Sequence, residues 1–171
     1  VRHLAFGFIL SGAALSATAQ TVLPGTDITA AEVRALLKAA PPGESSDKPM
    51  RVVDVGGYRF GVYAAFRPKN APAGEGHVHR TRVAEIYYML DGAGVLVTGG
   101  TLREPLEQHP SAVGNWTDVS GPQIDGGVSR KLSKGDLVII PGGTPHTWAS
   151  QSSNMTYLIL RPDPNNEIAL K

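Results

Sequence analysis

From Met50 onward the chain breaks into short runs of β-branched and aromatic residues separated by Gly, Pro and Asn. That rhythm is the feature that most narrows the fold. Runs of strand composition fall near Arg51 to Val55, Tyr58 to Arg67, Gly76 to His79, Glu85 to Leu90, Gly94 to Thr98, Val128 to Leu132, Asp136 to Ile140, Pro145 to Ala149 and Thr156 to Leu160. About nine short strands in roughly 110 residues predict an all-β domain closed into a barrel or jelly roll, a shape that hides its sheet edges.

Upstream the pattern is different. Thr29-Ala30-Ala31-Glu32 has the form of a capping box, and Val33, Leu36, Leu37 and Ala40 follow at i, i+3, i+4 and i+7. One short amphipathic helix from about Ala30 to Ala39 is predicted, followed by a linker, Pro41 to Pro49, PPGESSDKP. The organisation expected is an N-terminal helix and linker over residues 20–49 and a β-barrel domain over 50–171. Within the barrel a turn-rich stretch, residues 99–127, is bounded by Gly99-Gly100 and Gly126-Gly127 and reads as an inserted excursion such as a lid, an extra hairpin or an interface. Trp116 in it is read as an anchor of the loop to the barrel wall, a cover over a pocket being the functional reading, and His109 as a solvated surface residue.

Residues 1–19 place Arg2 before an apolar stretch from Leu4 to Leu15 and end in the small-x-small triplet Ala17, Thr18, Ala19. This is the pattern of an export signal cut before Gln20, with a periplasmic or secreted protein as its consequence. The apolar stretch is short for a bilayer, so no membrane span is expected after cleavage.

At 171 residues the chain suits one domain. Its net charge of +1 and 18% charged residues offer no basic footprint, which sets nucleic acid aside as a partner. Cysteine is absent, so thiolate metal sites, disulfides and cysteine nucleophiles are excluded. A metal here must be held by imidazole and oxygen.

The segment GEGHVHRTRVAEIYYMLDG, Gly74 to Gly92, offers such donors. Side chains alternate along a strand, so His77 and His79 point the same way and Val78 the other. Some sixty residues on, the strand Asp136 to Ile140 ends in Pro141-Gly142-Gly143, and the chain returns with His146 on the next strand, inward if Trp148 is inward. Donors from separate strands of a barrel then converge on its interior.

These two segments resemble the paired motifs of the cupin superfamily, one of form G-x5-HxH-x3,4-E-x6-G and one of form G-x5-PxG-x2-H-x3-N. Gly135, Pro141, Gly143 and His146 match the second at every spacing, with Ser150 where the family has Asn; His77, His79, Glu85 and Gly92 match the first. Five residues, Arg80 to Ala84, separate His79 from Glu85, one more than the family range, and Ala71 stands where the first motif begins with Gly. The extra residue falls in the turn between strands, where a wider loop absorbs it. The resemblance covers Ala71 to Ser150.

It implies a small antiparallel barrel holding one divalent transition metal, Fe, Mn, Zn, Ni or Cu, through His77, His79, Glu85 and His146. Around that site alternation suggests a lining of Tyr63, Tyr87, Met89, Thr144 and Trp148. Arg59 and Arg67 share a face with Tyr63 but sit near strand ends and are taken as surface charge. Two functions from different classes follow: a metal-dependent enzyme of oxygenase or isomerase/lyase type acting on a small molecule, or a non-catalytic cupin that binds a small ligand or metal for sensing or uptake. A homodimer paired through sheet edges is expected.

Overall fold

A computed structural model describes residues 22–171 of the chain, and the export signal read at residues 1–19 lies outside the described residues. Helix α1, Ala30–Lys38, starts where the capping box places it: the Thr29 hydroxyl accepts from the Glu32 backbone N–H at 3.2 Å, and the Glu32 carboxylate accepts from the Thr29 N–H at 2.8 Å. Glu32 also pairs with Arg51 at 2.5 Å, tying the helix to the first strand. Among the described residues no helix is long and apolar enough to cross a membrane.

The strands follow in chain order as β1 (Ser46–Asp54), β2 (Arg59–Arg67), β3 (Gly76–His79), β4 (Glu85–Asp91), β5 (Ala93–Thr98), β6 (Thr101–Leu102), β7 (Glu107–Pro110), β8 (Thr117–Gly121), β9 (Ile124–Asp125), β10 (Val128–Ser133), β11 (Leu137–Ile140), β12 (His146–Gln151) and β13 (Met155–Asp163). A five-stranded sheet, β1-β2-β13-β4-β11, faces a six-stranded sheet, β10-β5-β12-β3-β8-β7, and β6 pairs with β9 in a small ribbon. Every pairing is antiparallel. Together the two sheets form a jelly-roll barrel of the cupin type, as the motif resemblance implies.

Each predicted strand is present, and one region departs from the expectation. The first strand begins at Ser46, inside the predicted linker, and pairs with β2 from Ser46↔Phe66 onward. Pro49 is tolerated there because the register shifts between Pro49 and Arg51, so the missing N–H falls at an irregularity in the ladder. The excursion 99–127 takes the form of an extra hairpin: β7 and β8 extend the six-stranded sheet beyond β3.

Alternation decides what fills the barrel. Along β13 Met155, Tyr157, Ile159, Arg161 and Asp163 are buried, while the residues between them are partly exposed. The core joins these to Tyr63, Met89, Leu96, Ile140 and Trp148. A layer of aromatic rings crosses its middle, with Tyr87 stacked on Trp148 at 6.3 Å and both rings against Tyr157 at 5.1 and 5.7 Å. Burial lifts the Tyr157 phenol to a pKa of about 12, so it stays a neutral hydrogen-bonding group.

The motif glycines have a backbone reason. Gly92 links β4 to β5 at φ +81°, and a Cβ there would lie 2.0 Å from the Asn154 carbonyl oxygen. Only glycine fits, and the turn it permits fixes the register that turns Glu85, Tyr87 and Met89 inward.

Candidate metal centre

At one end of the barrel, above the aromatic layer, a ligand atom from each of His79, Glu85 and His146 comes within 4.8 Å of the others. Glu85 is the first residue of β4, His79 the last of β3 and His146 the first of β12, so the strand termini on both sheets deliver the group. The Glu85 carboxylate meets His146 Nε2 at 3.2 Å and His79 Nε2 at 3.9 Å. The imidazole rings of His79 and His146 lie 5.2 Å apart, centroid to centroid.

His77, the fourth predicted ligand, is not among the converging three. It is half-buried, stands directly across the ladder from His146, and places Nδ1 3.1 Å from the Ser120 hydroxyl. Burial and the neighbouring His146 and His79 rings lower its pKa, so it is held as neutral imidazole.

What lies behind each histidine fixes which nitrogen faces inward. His146 Nδ1 is 3.0 Å from the Thr144 carbonyl oxygen, which can only accept, so Nδ1 carries the proton. His79 Nδ1 is 2.6 Å from the Asp118 carboxylate, which also accepts from Trp116 Nε1 at 2.8 Å. Burial would raise the Asp118 pKa, but hydrogen bonding and the charge of His79 bring it below the ordinary value, so it is an ionised acceptor and His79 Nδ1 donates. With Nδ1 carrying a proton in each ring, Nε2 is the atom that faces the Glu85 carboxylate. Two imidazole nitrogens and a carboxylate turned on one another suit a cation, and His146 on its own favours carrying a proton there. Burial opposes that charge, yet the hydrogen bond and charge of Glu85 outweigh it and the His146 pKa is raised.

Glu85 is held from below by an arginine that the sequence reading did not place inward. Arg161 Nε donates to Glu85 Oε1 at 2.8 Å, and its Nη2 reaches Asp47 at 2.7 Å. The guanidinium also lies over the Tyr63 ring, 4.2 Å from the centroid. Tyr87 O–H donates to the other Glu85 oxygen at 2.9 Å. Burial alone would raise the Glu85 pKa, but the charge of Arg161 and then the contacts with His146 hold it well below the ordinary 4.5. Burial pushes the Tyr87 phenol up, and Glu85 beside it pushes further, so Tyr87 stays protonated and donates.

Tyr63, Tyr87, Met89 and Trp148 are all buried in the core, forming the floor beneath the site, and Thr144 lies partly exposed in the turn before His146. Arg59 donates to the Asn166 and Ile168 carbonyls and Arg67 to the Pro72 carbonyl, away from the centre. His109 is exposed on β7. Trp116 is partly buried against the core, and its ring stands edge-on to His79 at 6.4 Å between centroids. A cavity of about 400 Å³ on the outer face of β1 and β2, lined by Leu23, Ile28, Val53 and Phe60 among others, shares no residue with the centre.

Sequence reasoning missed Arg161 and Asp118. Extending the alternation of Tyr157 and Ile159 by one step places Arg161 inward, but Pro162 marked the strand as ended. Asp118 and Ser120 carry the same two-residue spacing as His77 and His79, a signal that only the register of β3 against β8 reveals.

No family profile and no curated protein matches the chain. Solved structures do resemble it in fold. An oxalate oxidase determined in complex with glycolate shares 18% identity over 77% of this chain at a TM-score of 0.45, and the chain spans only 57% of that protein's length. A Thermus thermophilus protein aligns over 76% of this chain and 93% of its own, at 18% identity and a TM-score of 0.46. A Klebsiella pneumoniae protein with a double-stranded β-helix domain aligns over 85% of this chain and 97% of its own, at 15% identity and a TM-score of 0.46.

Proposed function

We propose that this protein binds one divalent transition metal through His79 Nε2, His146 Nε2 and Glu85, with His77 beside them as the residue that would complete the set, and that the loaded protein is an exported metal-dependent enzyme acting on a small molecule. The observation that carries this reading is the pair of Nε2 atoms turned on a buried carboxylate, each fixed by a hydrogen bond at Nδ1. Imidazole and carboxylate together suit Fe, Mn, Zn, Ni or Cu. Fe or Cu would supply oxygen chemistry, and Mn, Zn or Ni Lewis-acid chemistry for an isomerase or lyase.

The chain's own groups then have definite work. Arg161 and Tyr87 hold both Glu85 oxygens in place, and Trp148, Tyr87 and Tyr63 close the barrel beneath, so a small molecule approaches from the His79 side, where the ring keeps 22% of its side-chain surface exposed. The filled floor also favours a second reading, a non-catalytic barrel that carries a metal or a small ligand for sensing or uptake. Export to the periplasm or beyond follows from residues 1–19, and pairing into a homodimer through sheet edges is part of the proposal.

Elemental analysis of the purified protein tests it. We expect about one equivalent of a transition metal per chain. Loss in His79→Ala and His146→Ala, with weakening in His77→Ala, supports the ligand set. Wild-type protein that takes up none of the five metals on reconstitution would overturn it. Turnover of small-molecule panels by the loaded protein separates enzyme from carrier.

A further inference from the structure

The barrel strands alone do not account for how the histidines are held. The Nδ1 partners of His77 and His79 come from β8, the inner strand of the hairpin that the excursion adds to the six-stranded sheet. The pairing is rung by rung: His77 stands opposite Ser120 and His79 opposite Asp118. On each rung the side chains also meet, at 3.1 Å for His77 with Ser120 and 2.6 Å for His79 with Asp118. A slip of one residue would turn both partners to the other face of the sheet.

The register is pinned at several points. The Arg80 N–H donates to the Thr117 carbonyl at 2.9 Å, extending the β3–β8 ladder past His79. Across the hairpin Ser111 N–H donates to the Trp116 carbonyl at 2.9 Å, and Asn115 N–H donates to the Glu167 carbonyl, also at 2.9 Å, fastening the turn to the C-terminal segment. Glu167 in turn accepts from the Thr81 hydroxyl, just beyond β3. Trp116 donates its indole N–H to Asp118 Oδ1, the same oxygen that meets His79 Nδ1.

We infer that this hairpin is a ligand-orienting element, in which Asp118 and Ser120 are positioning residues for His79 and His77. The inference rests on the proposed metal reading. Asp118 is charged, so it makes His79 Nε2 the more electron-rich donor and fixes its ring; Ser120 is neutral and leaves His77 the weaker one. That asymmetry matches the geometry, in which His79 converges with Glu85 and His146 and His77 does not.

The test is zinc affinity of the full chain, measured by competition with a chromophoric chelator, together with the visible spectrum of the cobalt-substituted protein. Asp118→Asn keeps the shape and an acceptor oxygen but removes the charge; we expect zinc binding weakened about 10- to 100-fold and the cobalt bands shifted. Ser120→Ala should weaken zinc binding by a smaller factor. Gln108→Ala, on the exposed outer strand of the same hairpin, should change neither readout. Wild-type affinity and spectrum in both Asp118→Asn and Ser120→Ala would overturn the inference while leaving the metal reading standing. Absence of binding of zinc and of Fe, Mn, Ni and Cu in wild type would overturn the metal reading, and the inference with it.

Discussion

The two halves of the centre are supported in opposite ways. Glu85 is held by the barrel's own interior, by a buried guanidinium that it shares with Asp47 and by a phenol of the aromatic layer. The histidines are held from outside the predicted strands, by a carboxylate and a hydroxyl on an added hairpin and by a turn carbonyl. The glutamate half is therefore inseparable from folding, because removing a partner strands a buried charge. The histidine half is at the rim, where its supports tune a ring's orientation and basicity more than they hold the core together.

Substitutions can break or sharpen that contrast. The largest effect is expected from Arg161→Met, which leaves Glu85 and Asp47 without their cation and should cost about 3–5 kcal/mol in denaturant unfolding of the metal-free protein. Combining it with Glu85→Gln should recover part of the loss, since one of the two stranded charges is then gone. Tyr87→Phe removes one hydrogen bond to a buried carboxylate and should cost roughly 1.5–3 kcal/mol. On the other side, Trp116→Phe keeps the ring but removes the indole N–H from Asp118, and about 1 kcal/mol is expected. Equal losses in Arg161→Met and Trp116→Phe would erase the distinction.

The same contrast has a pH signature. Glu85 has its native pKa depressed by Arg161 and His146, so the stability it contributes is fully present above its ordinary value of 4.5 and is lost as pH falls through the native value. Acid unfolding followed by circular dichroism should show this limb in wild type. Glu85→Gln, which cannot titrate, should flatten it.

Much of this was legible in the sequence, for reasons that are local. Capping chemistry marked α1, period-2 alternation marked the strands, and the spacing of Glu85 before Gly92 turned the glutamate inward because a turn only glycine can make fixes that strand. What was not legible depends on pairing between distant segments. Residues 46–49 read as linker because Pro49 conceals a bulge, and Arg161 was hidden by the Pro162 that follows it in an unbroken strand. The role of Asp118 required knowing that β8 pairs with β3, a contact across 39 residues inside a stretch whose composition signals only turns. His77 stands where its spacing from His79 puts it. A shared strand face brings it beside the site, but the position of its ring is set by Ser120.

The central claim is that two histidine Nε2 atoms and Glu85 meet on one cation. X-ray absorption at the edge of the bound metal tests it most directly. The account predicts a shell of nitrogen and oxygen at about 2.0–2.2 Å for zinc, with outer-shell scattering from two or three imidazoles that diminishes in His79→Ala. A shell of oxygen alone, or one unchanged by His79→Ala, would contradict it.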